Sequence, residues 1–388
     1  MKIKSLLTCA AALAFASSAF ATDYTIRLTG STAFRGAVYN SILAAISNDR
    51  YTYSEKAGGD GLSKAKYATF IGNIGVNDTY TIYCSFEGSS EGVEAAVIGK
   101  SRNFIPAATV PLSGSSVAGG ENTTSTATEV ATATMGFSDV YASTATAESG
   151  SLLGYSDVDV DDTIVGITPF VFIVNESTPG TITNISAEQF RALAYQGTVT
   201  ASGLGAEGDS NLVYLIGRTP SSGTRATVLA VTGYGIANPV VQYKVTTDAG
   251  EVNASAPVNN GNGGYYSGGD LSKVMKAASA FGYMLGYIGT GSDLNTATGA
   301  GARIIKFDGV SLSDGGGALD TTFANIKNGS YTYWSKQHFM IPTSPADAGQ
   351  TLFRNAVAAQ IPTNLGTAGI DTGLMAADRI GDGGLVLW

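Results

Sequence analysis

Strand-like and helix-like hydrophobic periods alternate along the chain. Residues 24–28 alternate as a strand does, and after a turn at Gly30 the run 34–46 places Val38, Ile42 and Ile46 at helical spacing. Residues 79–85 read as a second strand with Tyr80, Ile82 and Cys84 on one face, and 92–98 as the helix after it. Residues 165–175 predict a long apolar strand. Ser186 with Gln189 three positions on forms a capping box that opens a helix. Further along, 212–217 predicts a strand, 224–231 a helix and 271–283 a strong helix. Residues 286–289 and 304–307 are strand-like. Ser344-Pro345 predicts the start of a last long helix, with proline at its favoured first position. No tandem repeat is present, and alternating strands and helices imply α/β layers. Residues 101–134, rich in Ser, Thr, Ala and Gly, read as a surface insertion.

Composition narrows the function. Charged residues are 14% of the chain, against about 25% in an average soluble protein, which excludes a highly charged disordered tail. A net charge of −9 argues against nucleic acid, whose phosphates need a basic stripe. Glycine is 50 of 388 residues, yet without a three-residue period, so collagen is excluded. A hydrophobic content of 44% supports a large core, and the length suggests two domains.

The first residues read as a secretory signal. Lys2 and Lys4 precede an apolar run over 6–15, and Ala19-Phe20-Ala21 is a small-x-small cleavage pattern, so residues 1–21 are expected to be removed and the mature chain to start at Thr22. The rival is a lipoprotein acylated at Cys9. It fits less well, because Thr8 stands where a small residue is expected and the apolar run continues past it. No later stretch has the ~18 apolar residues of a membrane span. A soluble, exported protein of the periplasm or extracellular space is therefore expected. Cys84 is then the only cysteine, expected as a small buried hydrophobe in its strand, and no intrachain disulfide can form.

Three places share one design, a strand, a tight turn of glycine and hydroxyl residues, then a helix. They are Gly30-Ser31-Thr32, Gly88-Ser89-Ser90 and Ser222-Gly223-Thr224. A helix N-terminus offers unpaired N–H groups and about half a positive charge. Small hydroxyl residues leave room there for an anion and add donors, and glycine allows close backbone approach. Each turn alone reads better as an ordinary N-cap, and it is the three together that point to binding. Three facing one cleft would hold an oxyanion by neutral donors. Arg218, at the end of the strand leading to Ser222, is placed for a bidentate, charge-assisted contact with such an anion. Asp139 looks misplaced among anion donors unless the anion carries a proton, which the carboxylate would accept while repelling a fully ionised anion such as sulfate.

On these segments the chain resembles the phosphate-binding proteins of bacterial ABC transporters. Leu28-Thr29-Gly30-Ser31-Thr32-Ala33-Phe34 resembles the family's first phosphate loop, and Phe86-Glu87-Gly88-Ser89-Ser90-Glu91-Gly92-Val93 the second, with Ser89 at the contacting serine. Met135-Gly136-Phe137-Ser138-Asp139 is similar to the segment with the discriminating aspartate. Arg218-Thr219-Pro220-Ser221-Ser222-Gly223-Thr224 resembles the R-x-x-x-S-G-T loop and is the most specific element. The stretch from Gly166 through Asn175 to Gly197 is similar to the strand and helix after the first crossover. The resemblance spans most of residues 24–340, with scattered identity. It implies a two-lobed α/β fold of the type II periplasmic binding kind, with lobe one from 22 to 165 and again from 289 to 388, and lobe two from 166 to 288. Two crossovers, near 165–170 and 286–290, would form the hinge. Ser31, Thr32, Ser89 and Asp139 from lobe one, with Arg218, Ser222, Gly223 and Thr224 from lobe two, would hold phosphate or a similar oxyanion. The expected partner is an inner-membrane ABC permease; no cofactor, metal, nucleic acid or catalytic residue is expected, and the chain is expected to act as a monomer.

The departures matter. Glu87 and Glu91 add negative charge beside the second loop, and the insertion at 101–134 separates that loop from Asp139. The first loop's contact is Ser31, Thr32 or the Ala33 N–H. A different oxyanion therefore stays open.

Other motifs compete. Gly88-Ser89-Ser90-Glu91-Gly92 fits the G-x-S-x-G pattern of serine hydrolases, with Ser90 as nucleophile and His338, the single histidine, as base. No HGGG-like oxyanion segment accompanies it, and His338 adjoins the apolar run 339–341 as a strand residue would. Gly99-Lys100-Ser101 is like the end of a P-loop, but the required earlier glycine is Glu94. Asp157, Asp159 and Asp161 are spaced like a calcium loop, yet Asp162 replaces its glycine and Thr168 its final glutamate. A structural surface protein would fit the Ser/Thr/Gly-rich composition, without explaining the spacing from Arg218 to Ser222-Gly223-Thr224.

Overall fold

The computed structural model describes residues 21–54, 61–111, 126–175, 181–245, 247–248, 251–252, 257–275, 283–299, 301–312, 319 and 321–388. Residues 1–20, which hold nearly all of the expected signal segment, and residues 112–125 of the insertion lie outside them. No helix among the described residues is long and apolar enough to cross a membrane.

Thirteen strands frame the site. They are β1 (Asp23–Gly30), β2 (Ser47–Tyr53), β3 (Tyr67–Ile74), β4 (Asp78–Ser85), β5 (Lys100–Phe104), β6 (Glu129–Ala133) and β7 (Met135–Ser138). Then come β8 (Val160–Asn175), β9 (Thr198–Thr200), β10 (Leu212–Ile216), β11 (Tyr283–Gly289), β12 (Arg303–Phe307) and β13 (Trp334–Pro342). One mixed sheet runs β9-β10-β11-β8-β13-β7-β1-β4-β3-β2, with β12 also on β8. β1 is parallel to both β4 and β7, and β10 is parallel to β11; the other pairs on this path are antiparallel.

Burial follows the sequence pattern. Tyr80, Ile82 and Cys84 are fully buried on one face of β4. In helix α1 (Arg35–Ala45) the Val38 and Ile42 stripe is buried, with Ile46 just past its end. Helix α2 (Ser89–Ile98) follows β4, and α3 (Ala187–Gln196) opens on the capping box: Gln189 N–H donates to Ser186 Oγ at 3.1 Å and Ser186 N–H to Gln189 Oε1 at 2.8 Å. Helices α4 (Gly223–Val231), α5 (Gly268–Val274), α6 (Ser292–Gly299) and α7 (Ala348–Asn364) complete the frame.

Two large hydrophobic clusters divide the molecule. One gathers Ile26, Leu28, Phe34, Tyr80, Phe339 and Phe353. The other gathers Phe172, Phe190, Leu215, Leu285, Ile304 and Tyr333. β8 passes between them. Nine of its first ten residues pair with β13, the register shifting past Val165, and its last six, from Phe170↔Gly289 to Asn175↔Met284, pair with β11. Phe170 through Val174 are fully buried because helices and strands cover both faces, which is why this stretch reads as a continuous apolar run.

The 101–134 segment, expected at the surface, has paired flanks: β5 and β6 run antiparallel to each other, with Phe104 and Ala133 buried. Two expectations are corrected. The helix expected over 271–283 is present as α5 to Val274, residues 276–282 lie outside the described residues, and Tyr283 belongs to a buried strand instead. The last helix begins after Ser344-Pro345, because Asp347 Oδ1 accepts from Gln350 N–H at 3.0 Å and so caps Ala348 onward.

Candidate functional site

The end of β1 turns sharply at Gly30, whose φ is +140° and where a Cβ would lie 2.0 Å from the Phe137 carbonyl oxygen; only glycine fits. The turn delivers Ser31, whose N–H donates to Phe137 O at 2.9 Å and whose hydroxyl donates to Asp139 Oδ1 at 2.5 Å. Gly88 N–H donates to Gly30 O at 2.9 Å, locking the second loop to the first. Ser89, the first residue of α2, donates to Asp139 Oδ2 at 3.0 Å. Both oxygens of one buried carboxylate therefore face hydroxyls from two different loops.

The Arg218–Thr224 loop, the fourth loop after the Asp139 segment as third, arrives from the other half. Ser222 caps α4, accepting from Arg225 N–H at 3.4 Å. A Cβ on Gly223 would lie 2.4 Å from Ser89 Oγ and 2.8 Å from Asp139 Cβ. The N-termini of α2 and α4 thus meet at Asp139. The Arg218 guanidinium donates to Thr32 Oγ1 at 3.3 Å, Thr224 Oγ1 at 3.4 Å, Tyr265 O at 3.1 Å and Tyr266 O at 2.7 Å. Ser31, Thr32, Ser89, Asp139, Arg218, Ser222 and Thr224 are all buried. Every site residue read from the sequence is gathered in one place.

Electrostatics follow from that burial. Desolvation pushes the Asp139 carboxyl above its ordinary range, against the downward pull of the Ser31 and Ser89 hydroxyls and of Arg218. Burial likewise lowers the Arg218 guanidinium, with Asp293 its largest opposing charge. Charges flanking the second loop are compensated. Glu87 pairs with Lys66 at 3.2 Å, and Glu91 pairs with Lys100 at 3.8 Å and with Arg102. A buried carboxylate ringed by O–H donors beside one arginine and two helix N-termini suits an oxyanion that can itself donate a proton.

Sequence reasoning missed the supports. Tyr287 OH accepts from Arg218 N–H at 3.3 Å, and Gln242 Nε2 donates to Arg218 O at 2.9 Å. Arg225 is buried and donates to Arg218 O at 3.2 Å and to Asn262 O at 2.7 Å. Asp293 is buried with Oδ1 unpartnered. Gln242, Tyr287 and Asp293 lie far along the chain from any motif, so no local signal could find them; Arg225 directly follows Thr224, and only its burial, a tertiary feature, marks it out.

The hydrolase arrangement is not assembled. Ser90 Oγ accepts from Thr146 N–H at 3.0 Å, while His338 Nδ1 is 2.7 Å from Asp162 Oδ2 and its ring meets Tyr141 edge-on at 4.4 Å. No hydrogen bond joins Ser90 to His338 among the described residues. No group of three or more potential metal-ligating side chains occurs among them either.

No protein-family profile and no curated protein matches the chain. Among solved structures the fold is similar to a protein from Clostridium perfringens with bound phosphate, provisionally described as a phosphate ABC transporter substrate-binding protein, at a TM-score of 0.49 and 11% identity over 90% of this chain and 100% of that one. It is also similar to an ABC-type phosphate transport receptor from Vibrio cholerae, at 0.43 and 12% identity over 88% and 98% of the two chains. A phosphate-binding protein from Stenotrophomonas maltophilia is similar at 0.40 and 14% identity over 93% and 87%.

Proposed function

We propose that the chain is an exported solute-binding protein that captures phosphate, or a tetrahedral oxyanion like it, between two lobes for delivery to an inner-membrane ABC permease. The observation that carries the reading is the convergence on Asp139: two serine hydroxyls, two helix N-termini and a nearby buried arginine, drawn from loops up to 186 residues apart. A phosphate bearing a proton donates to Asp139 in place of the Ser31 and Ser89 hydroxyls, which turn to donate to the anion together with Ser222, Thr224 and Arg218. Sulfate has no proton to give at neutral pH, and the carboxylate repels it. The chemistry is binding alone and calls for no nucleophile or cofactor.

In this reading residues 22–165 begin lobe one. The sequence expectation returns the chain to lobe one at 289; the packing of Leu294, Ala302, Phe307 and Tyr333 in the second cluster supports a return nearer Trp334. β8 and the chain around Tyr333 and Trp334 would then carry the hinge. Ligand binding favours closure by its differential affinity for the closed state. The protein would act as a monomer in the periplasm or outside the cell.

The test is a thermal-shift screen of the mature protein, stripped of phosphate, against phosphate, arsenate and sulfate. A tight ligand raises the melting temperature by mass action. A rise with phosphate and none with sulfate is expected; no rise with any of the three sinks the reading.

A further inference from the structure

Thr146 lies in none of the loops that face Asp139, yet it touches two of them. It belongs to a small hairpin over residues 145–153, in which Thr146 bridges Leu152, Leu153 N–H donates to Ala145 O at 2.9 Å and Ala147 N–H donates to Ser151 O at 2.9 Å. The Thr146 side chain is buried. Its backbone N–H donates to Ser90 Oγ at 3.0 Å, and its hydroxyl donates to Pro220 O at 2.6 Å. Beside it, Ser90 N–H donates to Ser221 O at 3.2 Å, and the Ser221 hydroxyl donates to Glu148 of the same hairpin. Asn262 Nδ2 adds a bond to Ser149 O at 3.4 Å.

The bland explanation is that these bonds only hold the hairpin down. Their placement argues for more. Pro220 and Ser221 lie between Arg218 and Ser222, inside the loop that supplies the arginine and the cap of α4. Ser90 adjoins Ser89. One threonine therefore ties the second loop to the fourth at a point where the two halves meet. Donors held in their working positions before the ligand arrives give up less freedom on binding. Removing the Thr146 hydroxyl would leave a buried carbonyl unpaired and free the fourth loop to drift.

We propose that Thr146 is a positioning residue that locks the Ser89–Ser90 turn to the Arg218–Thr224 turn, and so sets how fast a bound oxyanion leaves. The proposal rests on the oxyanion reading above. Thr146→Val keeps the shape and the backbone N–H and loses only the hydroxyl donor; Thr146→Ser keeps the donor. With inorganic phosphate and the mature full chain, T146V is expected to release ligand about tenfold faster, with the association rate changed by less than about twofold, and T146S to behave as the wild type. Amide hydrogen exchange on the ligand-free protein is the second measurement. T146V should speed exchange in segments 88–92 and 219–223 and leave the rest of the chain alone. Release at the wild-type rate, exchange unchanged in both segments, or exchange that rises over the whole chain overturns the proposal. A wild-type protein that binds no phosphate defeats the oxyanion reading instead, and the exchange data still decide the role of Thr146.

Discussion

Arg218 donates from Nη2 to the Thr32 hydroxyl at 3.3 Å, joining the fourth loop to the first across 186 residues of chain. Among the described residues, all the hydrogen-bond acceptors of this buried guanidinium are neutral oxygens, two carbonyls and two threonine hydroxyls. The charge is thus held in place without being cancelled by a contacting carboxylate, the state an anion receptor needs. Arg218→Ala is expected to weaken phosphate binding by ~1.5–3 kcal/mol, the usual worth of a charged hydrogen bond. Arg218→Lys should not restore it, since one ammonium cannot copy the planar fork. Unchanged affinity by calorimetry would remove Arg218 from the site.

Gly223 is a point of close approach between the two halves at the site. An alanine methyl there would meet Ser89 Oγ at 2.4 Å and Asp139 Cβ at 2.8 Å. The α4 N-terminus must then withdraw from Asp139, at the cost of overpacking, about 1–3 kcal/mol. Gly223→Ala should lose that much phosphate affinity while its far-UV circular dichroism stays that of the wild type. Full retention of affinity would mean that the loops do not close on one another in the bound state.

The parts of this protein that were legible in its sequence are those with a local physical signature. The capping box at Ser186 and Gln189, the alternation of Tyr80, Ile82 and Cys84 and the glycine-hydroxyl turns are each complete within a few residues, and each appears where the pattern places it. The expected helix over 271–283 failed at Tyr283 because a fully buried strand is apolar on both faces and carries no period to separate it from a buried helix. Ser344-Pro345 failed as a helix start because the Asp347 side chain offers a better cap three residues on. Thr146, Tyr287 and Asp293 act on the site through contacts set by tertiary packing, and no local pattern marks such a residue.

Asp139 yields a prediction with a definite sign. Burial raises its carboxyl in the folded state, so the folded protein holds that proton more tightly than the unfolded chain does. The resulting stability is fully present below the unfolded value of about 3.9 and is lost as pH rises through the raised folded value. The ligand-free wild type should therefore lose stability relative to Asp139→Asn as pH climbs from about 4, and parallel melting curves for the two proteins across that range would refute the assignment. The same variant offers sulfate an amide donor in place of a repelling carboxylate. It should bind sulfate measurably; if sulfate stays excluded, Asp139 is not the group that reads the proton on the anion.

Asp293 separates two ways in which an acid can serve an arginine. It is buried, its Oδ1 has no partner, and it is the largest negative charge acting on Arg218. Its carboxylate lies against the start of α5, where Cβ atoms on Gly268 and Gly269 would come within 2.6 and 3.1 Å of its oxygens. It makes no hydrogen bond to Arg218, whose orientation is already fixed by four neutral acceptors. Its effect on a bound anion is then mainly repulsion through a poorly screened interior. Asp293→Asn should accordingly bind phosphate more tightly, on the order of three- to tenfold at low salt, and should discriminate less between singly and doubly charged anions. Calorimetry with phosphate at two pH values on either side of its second ionisation reads both effects. Weaker binding in the variant would show instead that Asp293 works by steadying the guanidinium.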